Sequence, residues 1–212
     1  MAIFMIVHEF GDPSSDLVLV QPVDRRDLEM VKNEIKMIAD LTAADVRLMA
    51  VEVDSWNADL SPWRAPAVFG KEDFGDGAAN TLAEIEKLCE DKRKTYYLGG
   101  YSLAGLFSLW AAYRTDRFKG VAAVSPSLWF PGFLAYMKEN KIRSSAVCLS
   151  LGDKEEKTRN PIMATVGDRT REAYQRLNEQ GVDCVLAWNE GNHFKDAEIR
   201  TAKAFAWLLK KP

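Results

Sequence analysis

A chain of 212 residues is long enough for one domain with a sizeable core and short for two, so a single domain over 1–212 is expected. With 47% hydrophobic and 28% charged residues, the composition excludes disorder and fibrous repeats. A net charge of −3 without a basic block excludes a nucleic-acid surface built on phosphate neutralisation.

The apolar run at residues 2–7 meets His8 and Glu9 too early for a signal peptide or membrane span, so a cytoplasmic protein with no membrane partner is expected. Short apolar, β-branched runs at 3–7, 17–20, 46–53, 95–98, 120–124, 146–151 and 183–188 predict strands. Several are apolar at nearly every position, as in a parallel sheet covered on both faces. After the second run, Leu28, Val31, Ile35 and Ile38 recur at three- and four-residue steps and predict a helix. The irregular stretch 54–77 is broken by Pro62, Pro66, Gly70, Gly75 and Gly77 and carries Trp56, Trp63 and Phe69; loops this long are often functional. Asn160 as N-cap, Pro161 at the first helical position and Gly181 just past the end punctuate a later helix. Ile199, Ala202, Phe205, Ala206 and Leu209 stripe the last one. Alternating strands and helices imply a doubly wound, mostly parallel α/β sheet, whose functional groups sit in loops at the carboxyl ends of the strands.

The strand at 95–98 runs into Gly99-Gly100-Tyr101-Ser102-Leu103-Ala104-Gly105 and then an apolar helix. This is the setting of a nucleophile elbow, where a serine stands on a sharp turn and small neighbours let strand and helix pass closely. Ala104 replaces the second glycine of Gly-x-Ser-x-Gly at the cost of one methyl group. The Leu103 N–H, first in the helix, points toward a substrate carbonyl and supplies half an oxyanion hole. The plainer alternative is an ordinary strand-to-helix turn. A serine needs an imidazole to take its proton, and only His8 and His193 compete. His193 follows the last predicted strand in Asn189-Glu190-Gly191-Asn192-His193-Phe194, where a catalytic base belongs in this architecture. The acid should fall between serine and histidine, and Gly152-Asp153-Lys154-Glu155-Glu156-Lys157 ends the strand at 146–151. Residue type and spacing leave Asp153, Glu155 and Glu156 as candidates.

Cys89, Cys148 and Cys184 are odd in number and set in apolar stretches, which fits reduced core thiols. Two histidines and no Cys-x-x-Cys leave too few ligands at zinc spacings, so no metal is expected. No cofactor is expected either. Gly75-Asp76-Gly77-Ala78-Ala79-Asn80 imitates a dinucleotide fingerprint but lacks its last small residue and the strand before it.

Gly100-Tyr101-Ser102-Leu103-Ala104-Gly105-Leu106, Ser125-Pro126-Ser127-Leu128-Trp129 and Gly191-Asn192-His193-Phe194 together resemble the esterase family of α/β-hydrolases that includes esterase D and the ferric-siderophore esterases. The segment from Asp54 to Trp63 is also similar to one those esterases carry before the elbow. The resemblance implies an α/β-hydrolase fold, and a chain of 212 residues is expected to leave no room for a lid domain. The resemblance implies Glu155 as the acid, three residues beyond the glycine that ends its strand. It further implies a second oxyanion donor from the turn after residues 17–20. There the chain has Gln21-Pro22-Val23-Asp24 in place of a glycine turn, and since Pro22 has no N–H, Val23 is the choice. Trp56, Trp63, Phe69 and Trp129 are expected either to wall an apolar pocket for a small-molecule ester or acyl substrate or to form only the private core of a long loop. The rival expectation is a non-catalytic binding protein that keeps the hydrolase fold.

Overall fold

A computed structural model describes residues 5–211. In chain order the elements are β1 (Val7–Gly11), β2 (Leu17–Val23), α1 (Leu28–Thr42), β3 (Arg47–Glu52), α2 (Trp56–Asp59), α3 (Ala78–Leu88) and β4 (Thr95–Tyr101). They continue with α4 (Leu103–Arg114), β5 (Gly120–Val124), α5 (Phe133–Glu139), β6 (Ala146–Gly152), α6 (Val166–Glu179), β7 (Asp183–Asn189) and α7 (Ala197–Leu209).

The strands form one sheet in the order β1-β3-β2-β4-β5-β6-β7, parallel throughout except for β1, which runs antiparallel to β3. Side chains alternate across it. Val18 and Val20 of β2 join the core beneath α3, α4, α5 and α6, whereas Leu19 joins the core with Val31 and Ile38 of α1 and Ala202 and Phe205 of α7. Covered on both faces, the sheet has no need for polar alternation in its central strands, and every residue of β5 and β6 is buried. The helix after the elbow is buried from Leu103 to Tyr113, so its composition, apolar but for Ser108 and Tyr113, reflects packing on all sides.

Three sequence expectations shift. The strand expected at 3–7 begins outside the described residues; β1 starts only at Val7 and takes in His8 and Glu9. An edge strand has one paired side, and these polar residues find partners on β3: His8 Nε2 lies 3.0 Å from Glu52 Oε2, and Arg47 donates to Glu9. Second, Gln21, Pro22 and Val23 are not a turn but the end of β2. They pair only with β3, since β4 accompanies β2 no further than Val20. A proline without an N–H is tolerated on that one-sided overhang. Third, the Asn160 side chain accepts from the N–H groups of Ile162 and Met163 and so caps a 3-10 turn, Met163–Thr165, while α6 starts at Val166. The Asn160 amide also donates to the Val68 carbonyl, tying this turn to the 54–77 loop at 2.7 Å. Gly181, at φ +75°, ends α6 in the left-handed conformation glycine tolerates best.

No helix among the described residues is long and apolar enough to cross a membrane. The three cysteines are free.

Candidate active site

Ser102 joins β4 to α4 with φ 59° and ψ −119°, a region costly for any residue with a Cβ. The turn is held from below: the Ser102 N–H donates to the Val124 carbonyl at 3.0 Å, and the Ser127 N–H donates to the Ser102 carbonyl at 3.1 Å. Tight passage requires small residues. A Cβ on Gly100 would stand 2.6 Å from the Ala104 methyl, and one on Gly105 would stand 2.9 Å from both the Gly100 and Val124 carbonyl oxygens. Gly105 is therefore the second obligatory glycine of this elbow, one position later than the usual spacing, and Ala104 fits because Gly100 faces it.

The chain then gathers three distant loops onto that serine. His193, in the loop after β7, places Nε2 3.0 Å from Ser102 Oγ and Nδ1 2.7 Å from Glu155 Oε2. Because a carboxylate accepts at Nδ1, the proton belongs on that nitrogen, and the Nε2 lone pair faces the serine hydroxyl. Glu155 is fixed at its other oxygen. Oε1 accepts from Ser125 Oγ at 2.7 Å, from the Gly152 N–H at 2.7 Å and from Arg200 Nη1 at 2.8 Å. Burial opposes ionisation of this carboxyl, but the His193 hydrogen bond and charge, with the Ser125 and Gly152 donors, outweigh it and hold Glu155 below its ordinary range.

The neighbouring acids have other partners. Asp153 Oδ1 accepts from the Gly191 N–H at 2.7 Å, bracing the histidine loop, and Glu156 accepts from Arg171 at 3.1 Å. His8 sits on β1, three strands from β4.

Arg200, Ser125 and Tyr101 had no role assigned from sequence. Arg200 is 2% exposed, yet its guanidinium donates to Glu155, Tyr101 Oη and Ser125 Oγ, and through Nη2 to the carbonyls of Glu190 and Asn192. One side chain from α7 thus holds the acid and the histidine loop together. Burial pushes the Tyr101 phenol up to about 12, so it stays a neutral donor, reaching the His193 carbonyl at 2.7 Å. The signal for Arg200 was its place four before Ala204 and eight before Leu208 on the buried face of α7, where an arginine is out of keeping.

Two hollows meet at His193. The first, about 420 Å3, takes in Ser102, Pro22, Val23, Met30 and Trp56. The second, about 250 Å3, takes in Trp129, Lys154, Glu155, Lys157 and Met163. Trp56 and Trp129 thus each face the site. Trp63 and Phe69 lie outside both hollows: Trp63 packs on Phe130, Phe133 and Tyr136 and donates to the Pro131 carbonyl, and Phe69 touches the site only through Trp129. The wedge between hollows is Phe194, 88% exposed, which borders both.

Glu34 on α1 lines the first hollow and is 2% exposed; burial pushes its carboxyl up to about 8, against a hydrogen bond from Gln21 and with help from the Glu198 charge. A raised carboxyl pKa means the folded state holds the proton longer than the unfolded one. Its contribution to stability is therefore full below the ordinary carboxyl pKa and is lost as pH rises through about 8. Glu34→Gln is expected to be more stable than wild type at pH 9, by at most about a few kcal/mol, and so to melt higher, with the gap closing at pH 5. Thermal unfolding of both proteins at the two pH values checks this.

No protein-family model matches the chain, and no curated protein matches it in sequence. Solved structures do. A siderophore hydrolase, EstA, from Aspergillus nidulans superposes with a TM-score of 0.69 at 17% identity, over 96% of this chain and 88% of that one. The enterobactin esterase of Shigella flexneri gives 0.66 at 14% identity, over 96% of this chain and 55% of the esterase. A monoacylglycerol lipase from Paleococcus ferrophilus gives 0.63 at 16% identity, over 98% and 99%. The likeness shows that the chain has the fold of these esterases and lipases, the α/β-hydrolase fold expected from its sequence.

Proposed function

We propose that the protein is a serine hydrolase of small carboxylic esters or related acyl compounds, working through an acyl-enzyme. The observation that carries this is the continuous relay from Ser102 Oγ through His193 to Glu155, at 3.0 and 2.7 Å, on a strained turn at the mouth of a hollow. In the forward step Ser102 Oγ attacks the acyl carbonyl while His193 Nε2 takes its proton, and Glu155 steadies the imidazolium that forms. The N–H groups of Leu103 and Val23 are assigned to the tetrahedral oxyanion. Leu103 opens α4, where an N–H has no intrahelical partner, and Val23 lines the hollow beside Ser102. The imidazolium returns its proton to the leaving alcohol. Water, deprotonated by His193, then releases the acid. Trp56 and Trp129 are assigned to hold the two sides of the ester, with Phe69 and Trp63 buttressing Trp129 and the loop behind it.

Two measurements decide between this enzyme and a binding protein on the same fold. A fluorophosphonate should label Ser102 in the folded protein, and a panel of activated esters and thioesters should contain a substrate. Folded protein that takes no label and cleaves no member of the panel is the binding protein.

The acid is tested separately. Glu155→Gln is expected to lower kcat/KM by about a hundredfold or more, because an amide can turn its NH2 toward Nδ1 and cannot stabilise the imidazolium. Asp153→Asn keeps an oxygen for Gly191 and Glu156→Gln alters only a surface pair, so both should stay within about tenfold. A crippled Asp153→Asn beside an active Glu155→Gln would transfer the role to Asp153.

A further inference from the structure

We propose that the first hollow binds a cationic group, a primary ammonium carried on one arm of the ester. The inference rests on the hydrolase reading above and adds the class of substrate.

The charged groups lining this hollow are Asp27, Glu34 and Glu198, with no lysine or arginine among them. A surface carboxylate trio would mean little, since water solvates it. Glu34 differs because it lies between Val31 and Ile38 on the buried face of α1, where packing alone calls for a leucine. Among the described residues its Oε1 has no hydrogen-bond partner. Gln21, on the overhanging end of β2 and 7% exposed, is in the same position: its Nε2 donates to Glu34 Oε2 at 3.4 Å, and its Oε1 has no partner. Two buried acceptors without donors carry a desolvation cost that nothing in the described chain offsets.

The missing complement can be specified. With Glu34 ionised both free atoms are acceptors, so a ligand that displaces its proton must bring donors. The wall is acidic on three elements, the turn before α1, α1 itself and α7, so the donor should be positively charged. A primary ammonium meets both requirements, reaching Glu34 Oε1 and Gln21 Oε1 together, and Trp56 adds an aromatic wall of the kind that favours cations. The volume of about 420 Å3 leaves ample room for a short aminoalkyl arm. Glu34, raised toward neutrality while the hollow is empty, gives its proton to solvent as the ammonium arrives, and the pair becomes an ion pair. The second hollow carries Lys154 and Lys157 beside Glu155, which is already engaged by His193 and Arg200, so the acidic preference belongs to one side of the scissile bond.

Two matched ester pairs test the idea: 4-nitrophenyl 6-aminohexanoate against the heptanoate, and 4-aminobutyl butyrate against pentyl butyrate. In at least one pair the cationic ester should be favoured about tenfold or more in kcat/KM. Glu34→Gln should bring that ratio close to one, and Glu198→Gln, on the less buried wall, should lower it about threefold without risk to the core. Ratios at or below one in both wild-type pairs, or a ratio unmoved by either substitution, overturn the proposal. A measurement independent of turnover separates its failure from that of the hydrolase reading. Titration of the wild-type protein with butylammonium should change tryptophan fluorescence at concentrations where butan-1-ol does not, and equal responses to the two overturn the proposal even if no ester is cleaved.

Discussion

Ser102→Ala is expected to lower kcat/KM on an activated ester by about four orders of magnitude or more, and His193→Ala by a similar factor. The hydroxyl is the only atom in the relay positioned to attack, and among the described residues the imidazole is the only base within 3.0 Å of it. The double variant should be no slower than the slower single one, since a base without a nucleophile and a nucleophile without a base are equally idle. Neither change should lower the melting temperature much, because among the described residues Ser102 Oγ hydrogen-bonds only to His193 and, at 3.4 Å, Ser127 Oγ, and His193 lies in a partly exposed loop. Steady-state rates of the three variants, with melting curves, check both halves. A double variant slower than either single one by a further large factor would show that the two side chains act independently and would end the relay mechanism.

Arg200→Met should be the most destabilising substitution near the site, costing about 3–5 kcal/mol. Methionine fills the space but leaves Glu155, 7% exposed, without its guanidinium, and takes donors from the carbonyls of Glu190 and Asn192. For a chain of this length that corresponds to a fall in melting temperature on the order of 10 °C. Turnover should fall even at temperatures where the variant is fully folded, because the Glu155 carboxylate then has one fewer anchor with which to aim the imidazole. Adding Glu155→Gln to Arg200→Met should restore part of the stability, as the uncompensated charge is gone. Unchanged melting in the single variant, or no recovery in the double, would remove Arg200 from the role of anchor.

How far the sequence leads can be judged from particular residues. Ser102 and His193 stand out locally, one on a strand-to-helix turn flanked by small residues, the other in a loop after the last strand, and the structure brings them together. Glu155 cannot be separated from Asp153 and Glu156 by spacing alone, because which of the three neighbouring carboxylates returns to the imidazole depends on the 3-10 turn, Glu155–Lys157, that follows β6. Arg200 was passed over because an arginine on a helix is usually solvated, and its burial depends on where α7 docks. The end of β2 was misread for a related reason: Gln21-Pro22 looks like a turn locally and becomes strand only because β3 is long enough to pair with it. Trp56 and Trp63 look alike in sequence, yet one faces the hollow and the other the private packing of its loop.

The reach of Arg200 also bears on how the protein comes to be active as it folds. The site is closed by contacts far apart along the chain, Ser102 with His193 across 91 residues, Glu155 with Arg200 across 45 and Tyr101 with Arg200 across 99. Contacts of that separation form late, after much of the entropy of closing the intervening loops has been lost. The elbow, by contrast, is local to β4, α4 and β5 and can form early. On the proposed mechanism, a chain part-way through folding is expected to carry an inert serine, with its base and acid still unrecruited until α7 seats on the sheet.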